Sequence, residues 1–314
     1  MEQSEVVALA MARPWADQDW AVPILEAFPR VLARTVDRWG LVIERAHTDG
    51  VGLPVLEVRR GPERAAVKFD DAGTDLAQQV RVMRAAGGRG YCRVLDHDAQ
   101  IGAALLERLG PSLARTTPDG PAQVDVLVGL LESAWELPLG VAQVEQPGEK
   151  ASQLLAIVET EVAEGGWVQR HTSAFDRAGR LARALVADPH PDRVVVHGDA
   201  HSLNALQRPG GGYAFIDPDG FLCERDYDAG VVLRDLMTEL EAIAGADGAP
   251  TAREWHRRQV ASVSARLHLE PDRVDAWAFV ERVSTGVWLH RLGYGEEAER
   301  WLRSADLLVP TTPS

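Results

Sequence analysis

Two short apolar segments that each lead into polar side chains constrain the fold of this chain more than any other feature. Residues 194–196 run into a His-Gly-Asp tripeptide ending at Asp199, and Asn204 follows five positions later. The apolar run 213–216 ends at Asp217, thirteen positions after that asparagine. Short apolar runs bounded by turn residues predict buried strands, so these three polar side chains are expected at strand ends. The fold must therefore bring two strand ends to one site.

Asp199, Asn204 and Asp217 carry the groups that a metal-dependent phosphoryl transfer needs. Mg²⁺ prefers oxygen ligands, which the amide of Asn204 and the carboxylate of Asp217 offer. Asp199 is predicted to orient a hydroxyl nucleophile and to accept its proton late in the reaction. An aspartate, four intervening residues, an asparagine and a later aspartate is the order found in protein kinases. The sequence predicts a kinase that uses ATP and Mg²⁺, with Asp199 as its catalytic residue.

Other interpretations of the same segment are weaker. His197 and His201 have the spacing of an H-x-x-x-H zinc site, but such a site needs a helix and a glutamate after the first histidine, where this chain has Gly198. Residues 198–201 also resemble a motif of metal-dependent phosphoesterases, yet no second ligand cluster completes a two-metal site. For His197 alone, a packed and hydrogen-bonded core position is predicted.

The composition is that of an ordinary globular protein, and it excludes several functional classes. The chain has 314 residues, 46% hydrophobic and 25% charged, with a net charge of −14. Nucleic-acid binding needs a basic surface, so no nucleic-acid partner is expected, whereas a negative cleft would attract a cationic small molecule. Two distant cysteines, no 18-residue apolar run and no basic N-terminal region predict a cytoplasmic protein without a membrane span.

The hydrophobic periodicity changes near Gly110. Before it, a leading helix over 22–39 precedes short β-like runs and one helix over 74–86. After it the pattern is mainly helical, including one helix over 228–244. We therefore predict an α+β, bilobal protein-kinase-like fold. Residues 1–110 would form a small antiparallel β lobe that binds nucleotide, and residues 111–314 a larger helical lobe with the catalytic loop and the substrate site. The nucleotide would lie between the lobes.

A lysine on the third strand of the small lobe is expected to neutralise nucleotide phosphates. Lys68, the only lysine in the first 149 residues, lies in the run 65–69. An acid on the next helix should orient it, and either Asp75 or Gln79 fits that position, with a carboxylate pairing more strongly with ammonium than an amide. Whether Asp75 or Gln79 orients Lys68 stays open.

Two further segments are predicted to contact the nucleotide. Gly50 and Gly52, in the turn 48–52, would let backbone N–H groups approach the phosphates. The segment from Glu107 to Leu109 ends the small lobe and would offer main-chain hydrogen bonds to an adenine ring.

Taken together, these segments resemble the aminoglycoside phosphotransferase family, and within it the branch of streptomycin 6-phosphotransferases and hydroxyurea kinases. The resemblance implies roles for Lys68 on phosphate, Asp199 as base, and Asn204 and Asp217 on magnesium. It also implies that Asp228 ties down the catalytic loop, and it implies a function in antibiotic resistance. The segments that carry it are VLARTVDRWGL (31–41), AAVKF (65–69), CRVLDHD (92–98), LLERL (105–109), VVHGDAHSLNAL (195–206), AFIDPDGFL (214–222) and DYDAG (226–230).

The substrate is expected to be a cationic, hydroxylated small molecule held by acids of the helical lobe. The periodicity of 276–289 assigns Trp277 and Trp288 to the core first and to a substrate wall second. A housekeeping sugar or amino-sugar kinase and a non-catalytic nucleotide-binding protein remain alternatives, and the choice of ATP or GTP and the oligomeric state stay open. The candidate acids are Glu224, Asp226, Asp235, Glu239 and Glu241.

Overall fold

The computed structural model describes residues 1–48, 50–71, 75–143 and 146–310. The chain divides into two compact units. The first contains Met1–Pro111 and Leu206–Asp219, and the second contains Ser112–Ala205 and Gly220–Ser314. The first unit thus includes a segment, with Asp217 near its end, that the sequence-based division placed in the second lobe.

The first unit contains α1 (Gln3–Met11), α2 (Val22–Trp39), β1 (Leu41–His47), β2 (Val55–Arg60), β3 (Glu63–Phe69), α3 (Leu76–Ala86), β4 (Val94–Asp98), β5 (Ala103–Glu107), β7 (Ala205–Gln207, at the boundary) and β8 (Tyr213–Phe215). Five of its strands form an antiparallel sheet in the order β1-β2-β3-β5-β4, which confirms the strands predicted for the small lobe. The short strands β7 and β8 form a separate pair.

Helix α2 has the bounds that the periodicity predicted, because both of its ends carry local signals. Proline lies in its first turn, where a missing N–H costs nothing. Gly40 ends it in the left-handed conformation at φ 58°, which glycine adopts without a Cβ clash. Leu25, Phe28 and Leu32 form its buried stripe. Helix α1 was not predicted, and it packs against α2.

The second unit is mainly helical, as predicted. None of the helices in the described part of the chain is long and apolar enough to cross a membrane. Two short strands, Val194–Val195 and Leu222–Cys223, form an antiparallel pair, and short 3-10 helices cover Leu139–Val141 and Gly166–His171. The elements are α4 (Leu113–Thr116), α5 (Gly120–Ala134), α6 (Glu149–Glu164), α7 (Thr172–Ala187), β6 (Val194–Val195), β9 (Leu222–Cys223), α8 (Arg225–Arg234), α9 (Met237–Asp247), α10 (Ala249–Leu267), α11 (Pro271–Arg291) and α12 (Gly295–Leu308).

The single helix predicted over 228–244 is wrong, because the chain breaks between α8 and α9. The break falls at Asp235 and Leu236, where ψ of Leu236 is 34°. Neither glycine nor proline marks this position, so the apolar period continues through it and the sequence carries no stop signal.

Helix α11 lies at the centre of the second unit and packs on α7, α8 and α12. Its approach to α8 is close: a Cβ on Gly230 would lie 2.6 Å from the Cβ of Trp277. Such close packing requires glycine at this point, and it fixes the position of α8 relative to α11. Both helices contribute side chains to the candidate site.

Candidate active site

The predicted catalytic loop, residues 196–204, follows β6 and is anchored by Asp228 of α8. The Asp228 carboxylate accepts hydrogen bonds from the N–H groups of His197 (2.8 Å) and Gly198 (2.9 Å) and from Trp135 Nε1 (2.9 Å). Asp228 is completely buried. Burial raises its pKa to about 6, although the three donors oppose that change. The structural role that the resemblance implied for Asp228 is confirmed.

His197 is a core residue, as predicted. Its side chain is fully buried, and its Nδ1 accepts a hydrogen bond from the N–H of Asp199 at 3.1 Å. Among the described residues, no three His, Cys, Asp or Glu side chains gather in a way that could hold a metal ion.

Asp199 presents a carboxylate that remains 37% exposed and is surrounded by donors. Oδ1 pairs with Nη2 of Arg234, and Oδ2 lies 3.2 Å from Nε2 of His201. Burial raises the pKa of Asp199, but the positive charges of His201 and Arg234 outweigh it and hold this pKa well below its usual range. Asp199 is therefore an anion that can accept a hydrogen bond from a hydroxyl group.

Asn204 turns its amide nitrogen toward the same aspartate. Nδ2 donates to the backbone oxygen of Asp199 and to its Oδ2, both at 3.0 Å. With the nitrogen so engaged, the amide oxygen is the atom that remains to bind a cation. The ligand role of Asn204 stays a prediction.

His201 links Asp199 to Asp235, whose Oδ2 lies 3.7 Å from Nδ1 of the imidazole. Burial lowers the pKa of His201, but Asp199 and Asp235 more than compensate, so this pKa is raised. Asp235 is the predicted substrate acid that the structure brings beside the catalytic loop.

Two charged residues of this site, Arg234 and Glu281, were not predicted from the sequence. Arg234 ends α8 and is buried, with Nη1 2.8 Å from Oε2 of Glu281 on α11. An arginine in an apolar helical run indicates only that the run is a helix. Glu281 is 47 positions away from Arg234 in the sequence. No sequence signal connects them.

The other substrate candidates have different surroundings. Oε2 of Glu224 lies 2.6 Å from Nε of Arg273, and Oε1 accepts a hydrogen bond from Trp277 Nε1. Asp226 is buried beside it. Glu239 packs against Gly120, and Glu241 pairs with Arg300.

The two tryptophans of α11 also differ from each other. Trp277 is buried, as predicted. The core position predicted for Trp288 is wrong, because this residue is 47% exposed. The other apolar residues of the same helical period are mostly buried.

In the first unit, Lys68 forms an ion pair with Asp217. Nζ lies 2.8 Å from Oδ1, and Lys68 is buried in β3 between Val67 and Phe69. Asp217 has φ 58°, in the left-handed region that non-glycine residues rarely adopt. Such conformations concentrate at functional sites, where surrounding contacts impose them.

The glycine turn between β1 and β2 is held by side chains of the first unit. Oδ2 of Asp71 accepts the N–H of Leu53 at 3.0 Å, and a Cβ on Gly52 would lie 2.2 Å from the same oxygen. A Cβ on Gly50 would meet nothing within 4 Å. Asp49, which also belonged to the predicted loop, lies outside the described residues.

Asp75 and Gln79 occupy different positions on α3. The carboxylate of Asp75 caps the helix by accepting the N–H of Gln78 at 2.9 Å. Gln79 is buried within the first turn. The ion pair described for Lys68 is with Asp217, so the choice between Asp75 and Gln79 stays open.

Glu107 uses its side chain within the first unit. Its carboxylate binds Arg93 Nε and Arg208 Nη1, each at 3.0 Å. Its N–H donates to the carbonyl of Arg93 at 2.9 Å. Any contact of Glu107 with an adenine ring would therefore involve its backbone carbonyl, with Leu109 following in the same segment.

The chain matches the model of the aminoglycoside/hydroxyurea antibiotic resistance kinase family over residues 38–293. It is 27% identical to streptomycin 6-kinase of Streptomyces griseus over 266 residues, which cover 84% of this chain and 83% of that protein. It is 32% identical to hydroxyurea phosphotransferase of Kitasatospora aureofaciens over 200 residues, which cover 62% of this chain and 57% of the relative.

Solved structures confirm the predicted fold. A thermostable mutant of aminoglycoside phosphotransferase APH(4)-Ia, in ternary complex with ADP and hygromycin B, superposes with a TM-score of 0.66 at 13% identity, covering 88% of this chain and 97% of that one. Choline kinase LicA from Streptococcus pneumoniae gives a TM-score of 0.55 at 14% identity, covering 89% and 98%. At these identities the likeness establishes the fold alone.

Proposed function

Because this chain belongs to the aminoglycoside/hydroxyurea antibiotic resistance kinase family, we propose that it transfers the γ-phosphoryl group of ATP to a hydroxyl group of a streptomycin-like aminoglycoside. The reaction would take place in the cytoplasm, with Mg²⁺ as the metal, and would inactivate the antibiotic. The observation that carries this proposal is the anionic, partly exposed carboxylate of Asp199, held beside Asn204 in the catalytic loop.

Asp199 orients the acceptor hydroxyl. The hydroxyl oxygen bonds to the γ-phosphorus while the bond from that phosphorus to the β–γ bridging oxygen breaks, and ADP leaves with the bonding pair. The hydroxyl proton passes to Asp199 and then to solvent. Because the transition state is loose, positioning contributes more than base strength, so the lowered pKa of Asp199 is compatible with this role.

Asn204 and Asp217 are the residues that would hold Mg²⁺. Their donors are an amide oxygen and a carboxylate, the ligand types that this ion prefers, and the hydrogen bonds of Asn204 Nδ2 leave its oxygen for the task. The bound ion would neutralise charge on the phosphate oxygens.

Lys68 would bind the nucleotide phosphates, and the backbone at Gly50 and Gly52 would cover them. Glu107 would accept a hydrogen bond from adenine through its carbonyl, and Leu109 would donate one through its N–H. The N–H of Glu107 already donates to Arg93, which supports assigning the donor role to Leu109 and the acceptor role to Glu107.

A cationic substrate fits the acidic character of the chain. Asp235, at 25% side-chain exposure beside His201, is the acid that we assign to a guanidinium or ammonium group of the substrate. Glu239 is a second candidate. We do not assign Glu224 or Asp226 to the substrate, because both are buried and Glu224 already pairs with Arg273.

The test is coupled ADP release from Mg-ATP by the whole chain, with streptomycin, hydroxyurea, hygromycin B and simple sugars as separate acceptors and Asp199→Ala as the blank. Streptomycin-dependent release that disappears in the variant, with a phosphorylated product by mass spectrometry, is the expected result. Release with sugars alone would favour the housekeeping alternative. Full turnover by Asp199→Ala would contradict the mechanism. Nucleotide binding by calorimetry without ADP release for any acceptor would favour the non-catalytic alternative.

A further inference from the structure

We propose that Arg234 is a positioning residue that holds the carboxylate of Asp199 in its reactive orientation, and that Glu281 anchors Arg234 for this purpose. The inference rests on the proposed role of Asp199. It concerns contacts within the second unit only.

The guanidinium of Arg234 is a junction for three carboxylates. Nη2 pairs with Oδ1 of Asp199, Nη1 lies 2.8 Å from Oε2 of Glu281, and Nε lies 3.5 Å from Oδ1 of Asp235. The side chains of Arg234 and Glu281 are only 9% and 6% exposed. A planar group with fixed donor directions sets the relative orientation of the carboxylates that it binds.

The anchor comes from outside the catalytic loop. Arg234 lies at the end of α8 and Glu281 in the middle of α11. The hydroxyl of Tyr227 lies 2.7 Å from Oε1 of Glu281 and 3.0 Å from the carbonyl oxygen of Gly198, which precedes Asp199. The contacts therefore form a closed ring from the loop backbone through Tyr227, Glu281 and Arg234 back to the side chain of Asp199.

The ring is needed because Asp199 lies in a loop. Within that loop, Asn204 and His201 contact Oδ2 of the carboxylate, whereas Oδ1 depends on Arg234. Without Arg234 the side chain would keep its contacts at one oxygen only and could rotate about its χ angles. A misplacement of about 1 Å at a reacting group can cost about 100-fold in rate.

Electrostatics separates this role from activation of a base. A positive charge at Oδ1 stabilises the anion and makes Asp199 a weaker base, so Arg234 cannot serve to increase its basicity. In a loose transition state little proton transfer has occurred, and aiming the hydroxyl oxygen is the larger contribution. Arg234 therefore fits a residue that orients the carboxylate of Asp199 while lowering the basicity of that carboxylate.

The variants are chosen so that folding and positioning can be distinguished. Arg234→Met alone leaves Glu281 buried without its cation, so it is combined with Glu281→Gln. Arg234→Lys keeps the charge but cannot bind two carboxylates in a planar fork. Arg282→Lys is the matched control, because Arg282 is a completely buried arginine of α11 whose described hydrogen bonds go to Ser304 and to the carbonyl of Leu233.

We expect kcat for aminoglycoside phosphorylation to fall about 10-fold in Arg234→Lys and about 100-fold in Arg234→Met/Glu281→Gln, with KM for ATP within about twofold of the parent. Arg282→Lys should lower the melting temperature without this loss of kcat. If the double variant does not fold, the kcat values of the single variants Arg234→Lys and Glu281→Gln test the inference.

The inference is overturned if the folded Arg234 variants keep kcat within about threefold of the parent. It is also overturned if Arg282→Lys loses as much kcat as Arg234→Lys, since any buried arginine would then matter equally. Asp199→Ala, measured in parallel, separates the two proposals. No aminoglycoside-dependent ADP release by the parent refutes the proposed function, and full activity in Asp199→Ala refutes the catalytic role of Asp199. Loss of activity in Asp199→Ala together with normal Arg234 variants refutes only the positioning role.

Discussion

The ammonium of Lys68 lies 2.8 Å from the carboxylate of Asp217, so the cation assigned to phosphate and the anion assigned to magnesium bind each other directly. Lys68 comes from the third strand of the sheet, whereas Asp217 is 149 positions further along and has a left-handed backbone. The tertiary structure of the first unit therefore brings these two distant residues into direct contact.

Asp217→Asn should weaken Mg-ATP binding, because it removes both the charge that pairs with Lys68 and the carboxylate proposed as a metal ligand. Losing a charge-assisted interaction costs about 1.5–3 kcal/mol, or about 10- to 100-fold in affinity. Isothermal titration with ATP, with and without Mg²⁺, measures it. Lys68→Met should weaken binding similarly, and Lys150→Met, in the second unit, should not. Unchanged Mg-ATP affinity in Asp217→Asn would exclude a metal role for Asp217.

Gly52→Ala should impair nucleotide binding, while Gly50→Ala should be nearly neutral. A Cβ at position 52 would lie 2.2 Å from Oδ2 of Asp71, so the Asp71 carboxylate must move and its hydrogen bond from the N–H of Leu53 is disturbed. A Cβ at position 50 meets no atom within 4 Å. We expect KM for ATP to rise about 10-fold in the first variant, equivalent to about 1.4 kcal/mol. Equal KM values in the two variants would show that the turn is not part of the nucleotide site.

Asp228→Asn should destabilise the second unit and reduce kcat. An amide nitrogen would face one of the three donors that the carboxylate now binds, leaving a buried donor unsatisfied at a cost of about 1–3 kcal/mol. Urea unfolding monitored by tryptophan fluorescence, together with the coupled assay, measures both effects. A variant of unchanged stability would indicate that the catalytic loop does not depend on this anchor.

The same carboxyl group should give unfolding a distinct pH dependence. Burial raises the pKa of Asp228 to about 6 from 3.8, so the folded chain binds its proton more tightly than the unfolded chain. Its stabilising contribution is complete below pH 3.8 and is lost as the pH rises through about 6, a change of about 3 kcal/mol. The stability difference between the parent and Asp228→Asn should therefore shrink between pH 4 and pH 7. A constant difference would contradict the raised pKa.

Gly230→Ala should destabilise the protein, because the new Cβ would lie 2.6 Å from Cβ of Trp277 and 2.7 Å from the backbone nitrogen of Ala278. Overpacking of this kind costs about 1–3 kcal/mol. Gly245→Ala is the matched control: it also lies in a helix, but its Cβ meets nothing within 4 Å, and alanine should stabilise the fold by about 0.4–1 kcal/mol. Similar melting temperatures for the two variants would contradict the close packing of α8 on α11.

Local signals account for the elements that were predicted correctly. Helix α2 has proline in its first turn and Gly40 at its end, and the strand that carries Lys68 follows a turn at Gly61. The break after Arg234 was not predicted, since apolar residues continue across it. The exposure of Trp288 was not predicted either. A helical period shows that one face of a helix is apolar, but it does not show which residues of that face are covered by other elements.

The sequence by itself determined the family and placed Asp199 and Asn204 in one loop, because they are five positions apart and their spacing is a local property of the chain. Only the tertiary structure decided which groups surround Asp199. Arg234 and Glu281 are 35 and 82 positions away from it, and they meet because Gly230 lets α8 approach α11 closely. A contact of this kind depends on how two helices pack in the core, and the spacing of residues within one helix does not predict that packing.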